Sequence, residues 1–349
     1  MKNKKLSKLS KWLLAIIGVL IFLWLLFWPM PDYIEGPGEA NNLNHMVKVN
    51  HHFGRYPGKL MLTSVEIAPV HPITYVWAKL NPKYSIESEQ NVTGGQNDAT
   101  YNKIQKFYMT SAINDAKYVA YRNAHRFVKP NYHGIYVLGV MPTSHFHSII
   151  HVGDVITKIN GRHFNNAYGY QEYLAHLNHH SKVTVQYLHN NVEHRAISHL
   201  THLPGSNRWG IGVILTDDDS IKTKIPVHVN SEQIGGPSGG LMLTLQMYSQ
   251  IKPVNITKGR KIAGTGTIDP KGDVGEIGGI DKKIIAAKRQ GATIFFAPYI
   301  KPTKKVLKYE PGHLTNYELA KRTAHKYAPN MKIVPVSNFH QALKYLIRT

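Results

Sequence analysis

Seventeen consecutive uncharged residues, Trp12 to Trp28, set the first constraint on this chain. As a helix the run measures about 26 Å at about 1.5 Å per residue, close to the thickness of a bilayer core. Lys2, Lys4, Lys5, Lys8 and Lys11 come before it with no acid among them, and Pro29 and Pro31 end it. Trp12, Trp24 and Trp28 stand near its ends, where indoles favour the membrane interface. The run predicts residues 12–28 as a transmembrane anchor and residues 1–11 as a basic cytoplasmic tail, with everything beyond on the outer side. The sequence that follows, Pro-Met-Pro-Asp-Tyr-Ile-Glu, offers no small-x-small cleavage site, which favours an uncleaved anchor over a signal peptide.

The 349 residues are 42% hydrophobic and 18% charged, a globular composition with room for two or three units. Cysteine is absent, which excludes thiol catalysis, disulfides and cysteine-ligated zinc. The net charge is +21. Setting aside the five lysines before the anchor leaves 37 basic against 21 acidic residues, a net of +16. Such a field suits an anionic envelope polymer as a neighbour. The basic residues are scattered instead of gathered in one arm, so nucleic acid is not an expected partner. There is no G-x-x-x-x-G-K-S/T phosphate loop, and no ATPase or other cofactor is expected. Twenty-one histidines make neighbouring pairs such as His51-His52 and His179-His180 expected by chance, so no metal site is assigned. Asp217-Asp218-Asp219 reads as a solvated turn.

Between Gly36 and Lys129 the chain reads as mixed strand and helix. Gly58 to Val65 looks like a turn feeding a strand. Alanines and Val119 at helical spacing predict a helix over about 101–127, and the polar stretch 81–100 reads as a loop. Residues 130–205 alternate strand, Gly-Asp turn, strand, Asn-Gly turn, short helix and strand. With the run Val152-Gly153-Asp154-Val155-Ile156-Thr157-Lys158-Ile159-Asn160-Gly161, this segment resembles a PDZ domain. The resemblance implies peptide binding by strand addition. It puts the receiving edge at Gly134, Ile135, Tyr136 and Val137, with Tyr132 and His133 in the preceding loop.

Two segments of the last third carry chemistry. In Ile234-Gly235-Gly236-Pro237-Ser238-Gly239-Gly240 a glycine turn meets Pro237, suited to a first helical position, ahead of an almost wholly apolar helix. Ser238 then falls in the first turn, where backbone N–H groups lack internal partners and can hold an oxyanion. Gly236 and Ser238 are the expected donors. In the second segment, Gly264 to Ala287, a hairpin about Asp269–Gly272 leads through Gly278-Gly279 into a helix capped by Asp281. Lys283 lies in its first turn, where the helix dipole and burial beside Ile284 and Ile285 both disfavour its charged form. Lys282 reads as an exposed member of a basic helix.

Together these segments resemble the Lon protease catalytic domain: GGPSGG, a Gly-x-Val-x-x-Ile-Gly-Gly run, and the second lysine of DKKIIAA, 45 residues beyond the serine. The resemblance implies Ser238 as nucleophile, Lys283 as general base and Thr265 as the hydroxyl that orients the lysine. Gly239 stands where that family has alanine. The whole layout is similar to the YlbL-like PDZ–Lon peptidases of Gram-positive bacteria. The expected fold class is therefore α+β: a Lon-type protease domain with an inserted PDZ domain, after an N-terminal transmembrane helix. Its expected parts are a membrane-proximal region at 36–128 that contributes to the Lon fold, the PDZ domain at 130–205, and the catalytic residues in 206–349. The expected function is ATP-independent cleavage of extracytoplasmic peptides or exported proteins at the cell membrane, the PDZ domain positioning substrate. The alternative is a non-catalytic peptide-binding scaffold. Oligomeric state is not legible.

Overall fold

The structure, a computed structural model, describes residues 7–232, 234–308 and 310–348. Lys2, Lys4 and Lys5 of the expected basic tail lie outside the described residues. A single helix runs from Lys8 to Phe27, with Ser7 accepting from the Ser10 N–H at its start and no buried residue along it. Twenty residues make it about 30 Å long. It takes in Lys8 and Lys11, four residues beyond the uncharged run, because lysine is a good helix former and its stem reaches back to water.

A six-stranded mixed sheet follows, in the order Lys332–Val336, Ile294–Pro298, Lys261–Gly264, Lys59–Pro69, Asp32–Asn42, Ser85–Ser88. The first four strands run parallel; the last two pair antiparallel. Lys59–Pro69, from early in the chain, lies directly beside Lys261–Gly264, with Leu60 opposite Ile262 and Leu62 opposite Gly264. Ile294–Pro298 is buried at every position, as a strand covered on both faces should be. One face packs on the helices Asp98–Asn123, Gly240–Ile251 and Phe339–Arg348 through a core that includes Leu62, Leu243, Phe296 and Phe339. The other packs on Ile280–Arg289 and Asn316–Tyr327 through Met61, Ile284 and Phe295. Stretch 81–100, read as a loop, holds strand Ser85–Ser88 and the short helix Glu89–Thr93. Four residues are too few for alternation to show, and the strand forms because Asp32–Asn42 offers an open edge.

A second, five-stranded antiparallel sheet has the order Val213–Thr223, Val128–Val140, Val155–Ile159, Lys182–His189, Val192–His199. It encloses its own core around Ile135, Val137, Ile156, Tyr170 and Val185, with helix Ala167–Ala175 packed on it. Its outermost strand comes from beyond residue 206. Val213–Thr223 pairs with Val128–Val140 along its whole length, and Ile211 joins the same core. The strand pairing therefore carries this unit past a boundary at residue 205. Asp217, Asp218 and Asp219 lie inside that strand, opposite Ile135, Gly134 and Tyr132, and not in a turn. Local polarity suggested the turn; the pairing partner, some eighty residues earlier, decided otherwise.

Candidate active site

Helix Gly240–Ile251 begins at Gly240, so Pro237 and Ser238 form the turn that enters it. Every described residue of that helix but one is buried. Helix Ile280–Arg289 is capped by Gly279 at φ +65°, and Asp281 falls in its first turn instead of capping it. A Cβ at Gly279 would collide with the Glu35 carboxylate and Val65, so the left-handed conformation and the close approach of strand Asp32–Asn42 both select glycine there.

These two helix starts meet. Lys283 Nζ lies 2.7 Å from Ser238 Oγ and 3.1 Å from Thr265 Oγ1. Thr265 Oγ1 in turn donates to the Ser238 carbonyl at 3.1 Å, and the Gly266 N–H donates to the same carbonyl at 2.8 Å. Thr265 is held by its own N–H, which donates to the Phe296 carbonyl. The three expected site side chains thus form one hydrogen-bonded unit. Lys283 is only 2% exposed. Burial lowers its pKa to about 7, with the nearby Glu35 carboxylate opposing the shift. An amine poised there accepts a hydroxyl proton near neutral pH.

The unit opens on a cleft of about 590 Å³ between strand Lys59–Pro69, the start of helix Asp98–Asn123 and the Gly278 turn. Of the two expected oxyanion donors, the structure removes one. The Gly236 N–H is already bonded to the Gln105 carbonyl at 2.9 Å. Pro237 has no N–H, so the Ser238 N–H remains, without an acceptor among the described residues. Lys282, expected on the surface, is 7% exposed, its Nζ bonded to Asp281 at 2.6 Å. The basic run of this helix hid the fact that two successive lysines both face inward.

The expected peptide edge is also displaced. Ile135 and Tyr136 pair with Ile156 and Val155 on one side and with Asp217 and Thr216 on the other. Val137 exchanges hydrogen bonds with Asp154 and Gly153 and faces Leu215, while Gly134 and Tyr132 face Asp218 and Asp219. His133 Nε2 is 2.8 Å from Ser220 Oγ. Ile135, Tyr136 and Val137 are therefore occupied on both sides and cannot receive a strand. The sheet's outer strands are Val192–His199 and Val213–Thr223, and it is the second, entered through Gly212 at φ +68°, that lies beside the expected edge. The Ala167 N–H of the neighbouring helix donates to Asp217 Oδ1 at 2.6 Å. The Gly210-Ile211-Gly212 turn was the sequence signal for this edge. At the edge of the same domain His151, Asp154 and His189 bring donor atoms within 4.8 Å of one another, a grouping that pairs of adjacent histidines did not disclose.

Comparison with known proteins agrees with this geometry. Residues 211–346 match the Lon protease (S16) C-terminal proteolytic domain, and residues 120–197 match the PDZ domain. A Lon protease of Malacoplasma penetrans (strain HF-2) is 39% identical over 85 residues, 23% of this chain. The chain spans about a tenth, 11%, of that relative's length. Among solved structures, the PDZ domain of an SdrC-like protein from Listeria monocytogenes is 28% identical over 24% of this chain and 90% of its own, with a TM-score of 0.24. Its counterpart from Listeria innocua is 30% identical over 24% and 92%, with a TM-score of 0.23. The proteolytic domain is that of a serine peptidase. The chain thus carries a Lon-type proteolytic domain and a PDZ domain, behind an N-terminal helix apolar and long enough to cross a membrane.

Proposed function

We propose that this chain is a membrane-anchored, ATP-independent endopeptidase whose nucleophile is Ser238 and whose general base is Lys283. The observation that carries the reading is the 2.7 Å separation of Ser238 Oγ from the Nζ of a buried lysine. Neutral Lys283 takes the hydroxyl proton as Oγ attacks the scissile carbonyl. The oxyanion that forms is met by the Ser238 N–H. The ammonium then returns its proton to the leaving amine, and a water deprotonated by the same lysine releases the acyl group. Thr265 holds Nζ on line. In this reading the catalytic domain is discontinuous, its sheet assembled from strands before and after the PDZ domain. The PDZ domain receives a peptide strand along Val213–Thr223. The Lys8–Phe27 helix anchors the enzyme with its N-terminus in the cytoplasm and its cleft outside, where flexible segments of exported proteins are the substrates.

The test is cleavage of an unstructured polypeptide by the full chain in detergent without nucleotide. Wild type is expected to cut, and Ser238→Ala and Lys283→Met to lose at least a thousandfold of the rate. Undiminished cutting by Ser238→Ala would overturn the assignment. Reactivity of an engineered outer-domain cysteine toward a membrane-impermeant reagent on intact cells tests the orientation.

A further inference from the structure

In a chain with 42 basic and 21 acidic residues, the walls of the catalytic cleft are lined by acids. Glu35, Asp98 and Glu276 line it; its one cationic residue is Lys283, whose burial favours the neutral amine. Among the described residues the ion pairs are His189 with Asp154 and Lys282 with Asp281, and none of the cleft carboxylates belongs to either. Lys282 acts on Glu35 from a distance while its Nζ stays on Asp281. Glu276 accepts from the Asn316 N–H through one oxygen at 3.0 Å, and its other oxygen is buried without a donor. With bases outnumbering acids two to one, leaving three carboxylates unpaired around a peptidase site is a departure that surface chemistry does not produce by default.

The same wall carries aromatic rings. Tyr33 donates its hydroxyl to Asp98 Oδ1, and Tyr101 stands within the field of Glu35. Carboxylates beside ring faces are the setting that recognises a lysine ammonium or an arginine guanidinium, which pairs with the acid while its stem lies on the ring. Burial raises Glu35 and Glu276 above the usual carboxylate range, so a cation entering the cleft also restores their charged forms.

We infer that the cleft selects peptides with a lysine or arginine side chain close to the scissile bond, held by Glu35 and Asp98 against Tyr33 and Tyr101 on one wall and by Glu276 on the other. The inference rests on the peptidase reading of the Ser238–Lys283 pair and names the substrate class of that site: cationic segments, which the net positive charge of the chain repels and the acid-lined cleft attracts.

The experiment uses two dye-labelled, C-terminally amidated dodecapeptides, identical except that every lysine and arginine of the first is norleucine or citrulline in the second. Binding to the full-length Ser238→Ala variant in detergent is followed by anisotropy, and cleavage by wild type is followed in parallel. The basic peptide is expected to bind about tenfold more tightly or better, as a charge-assisted pair supplies. Adding Asp98→Asn and Glu276→Gln, which keep the hydrogen bonds to Tyr33 and Asn316, should bring the two affinities within about twofold. Equal binding, tighter binding of the neutral peptide, or a preference that survives both substitutions overturns the inference. A binding preference without wild-type cleavage would sink the peptidase reading and leave the cation site standing; cleavage without a preference would do the reverse.

Discussion

The Gln105 carbonyl accepts the Gly236 N–H at 2.9 Å, across 131 residues of chain. One hydrogen bond ties the helix Asp98–Asn123 to the glycine turn that presents Ser238. Gly236 sits at φ +82°, with the Gln105 side chain 3.1 Å from where a Cβ would stand. Gly236→Ala therefore meets both strain and a close neighbour. It should destabilise the fold by about 1 kcal/mol or more and lower kcat by at least tenfold. Thermal unfolding and single-turnover acylation check the two effects separately, and an unchanged kcat would show that the turn need not hold this shape.

Lys283 gives the pH profile its sign. Its native pKa is lowered to about 7, so below that value the base is protonated and kcat/KM should fall about tenfold per pH unit. A flat rate between pH 5 and 8 contradicts the assignment. Stability moves with it. Below about 7 the lysine is protonated in native and unfolded chains alike, and the native state bears the full cost of a buried charge. Between about 7 and the ordinary lysine value of 10.5 the unfolded state holds a proton that the native state lacks, so stability rises with pH across that window. Lys283→Met should be inactive, more stable than wild type at pH 6, and without this rise.

In the proposed mechanism Thr265 acts through the lysine. Thr265→Val removes the acceptor of the Lys283 amine and the donor to the Ser238 carbonyl while keeping the side-chain volume. A loss of roughly tenfold to a hundredfold in kcat is expected, with KM little changed. Thr265→Ser should recover most of it. A Thr265→Val enzyme at full rate would assign the residue to packing alone.

Asp154 is the buried acid of the other sheet. It is 1% exposed, accepts the His151 N–H at 2.8 Å and faces His189 Nδ1 at 2.7 Å. Asp154→Ala leaves both partners without it and should cost about 1–3 kcal/mol in denaturant unfolding. Cleavage of a short peptide that needs no PDZ contact should survive.

The catalytic elements were legible because each is compact in sequence. A glycine turn, a proline and a serine ahead of an apolar run describe one loop and one helix start, and the lysine segment does the same. What joined them could be taken only from resemblance, since spacing alone does not place two helix starts together. Strand neighbours were less legible. Gly134 to Val137 is buried at every position and would read the same whether the strand's second side meets solvent or Asp217 to Asp219, because side-chain pattern reports faces and not edges. The Gln105 contact left no trace either, since a backbone carbonyl carries no residue identity. Lys282 misled for a different reason: its long stem lets a lysine in a basic helix bury most of its length while its amine finds Asp281.

Helix Asp98–Asn123 touches both halves within a turn and a half. Lys103 Nζ donates to the Val152 carbonyl of the PDZ domain at 2.9 Å, Phe107 stacks on Tyr136 with ring centres 3.7 Å apart, and between them the Gln105 carbonyl grips Gly236. The three residues are rungs of one stiff ladder leaning on two walls. The PDZ domain and the serine turn therefore lean on one common support, five residues of helix long.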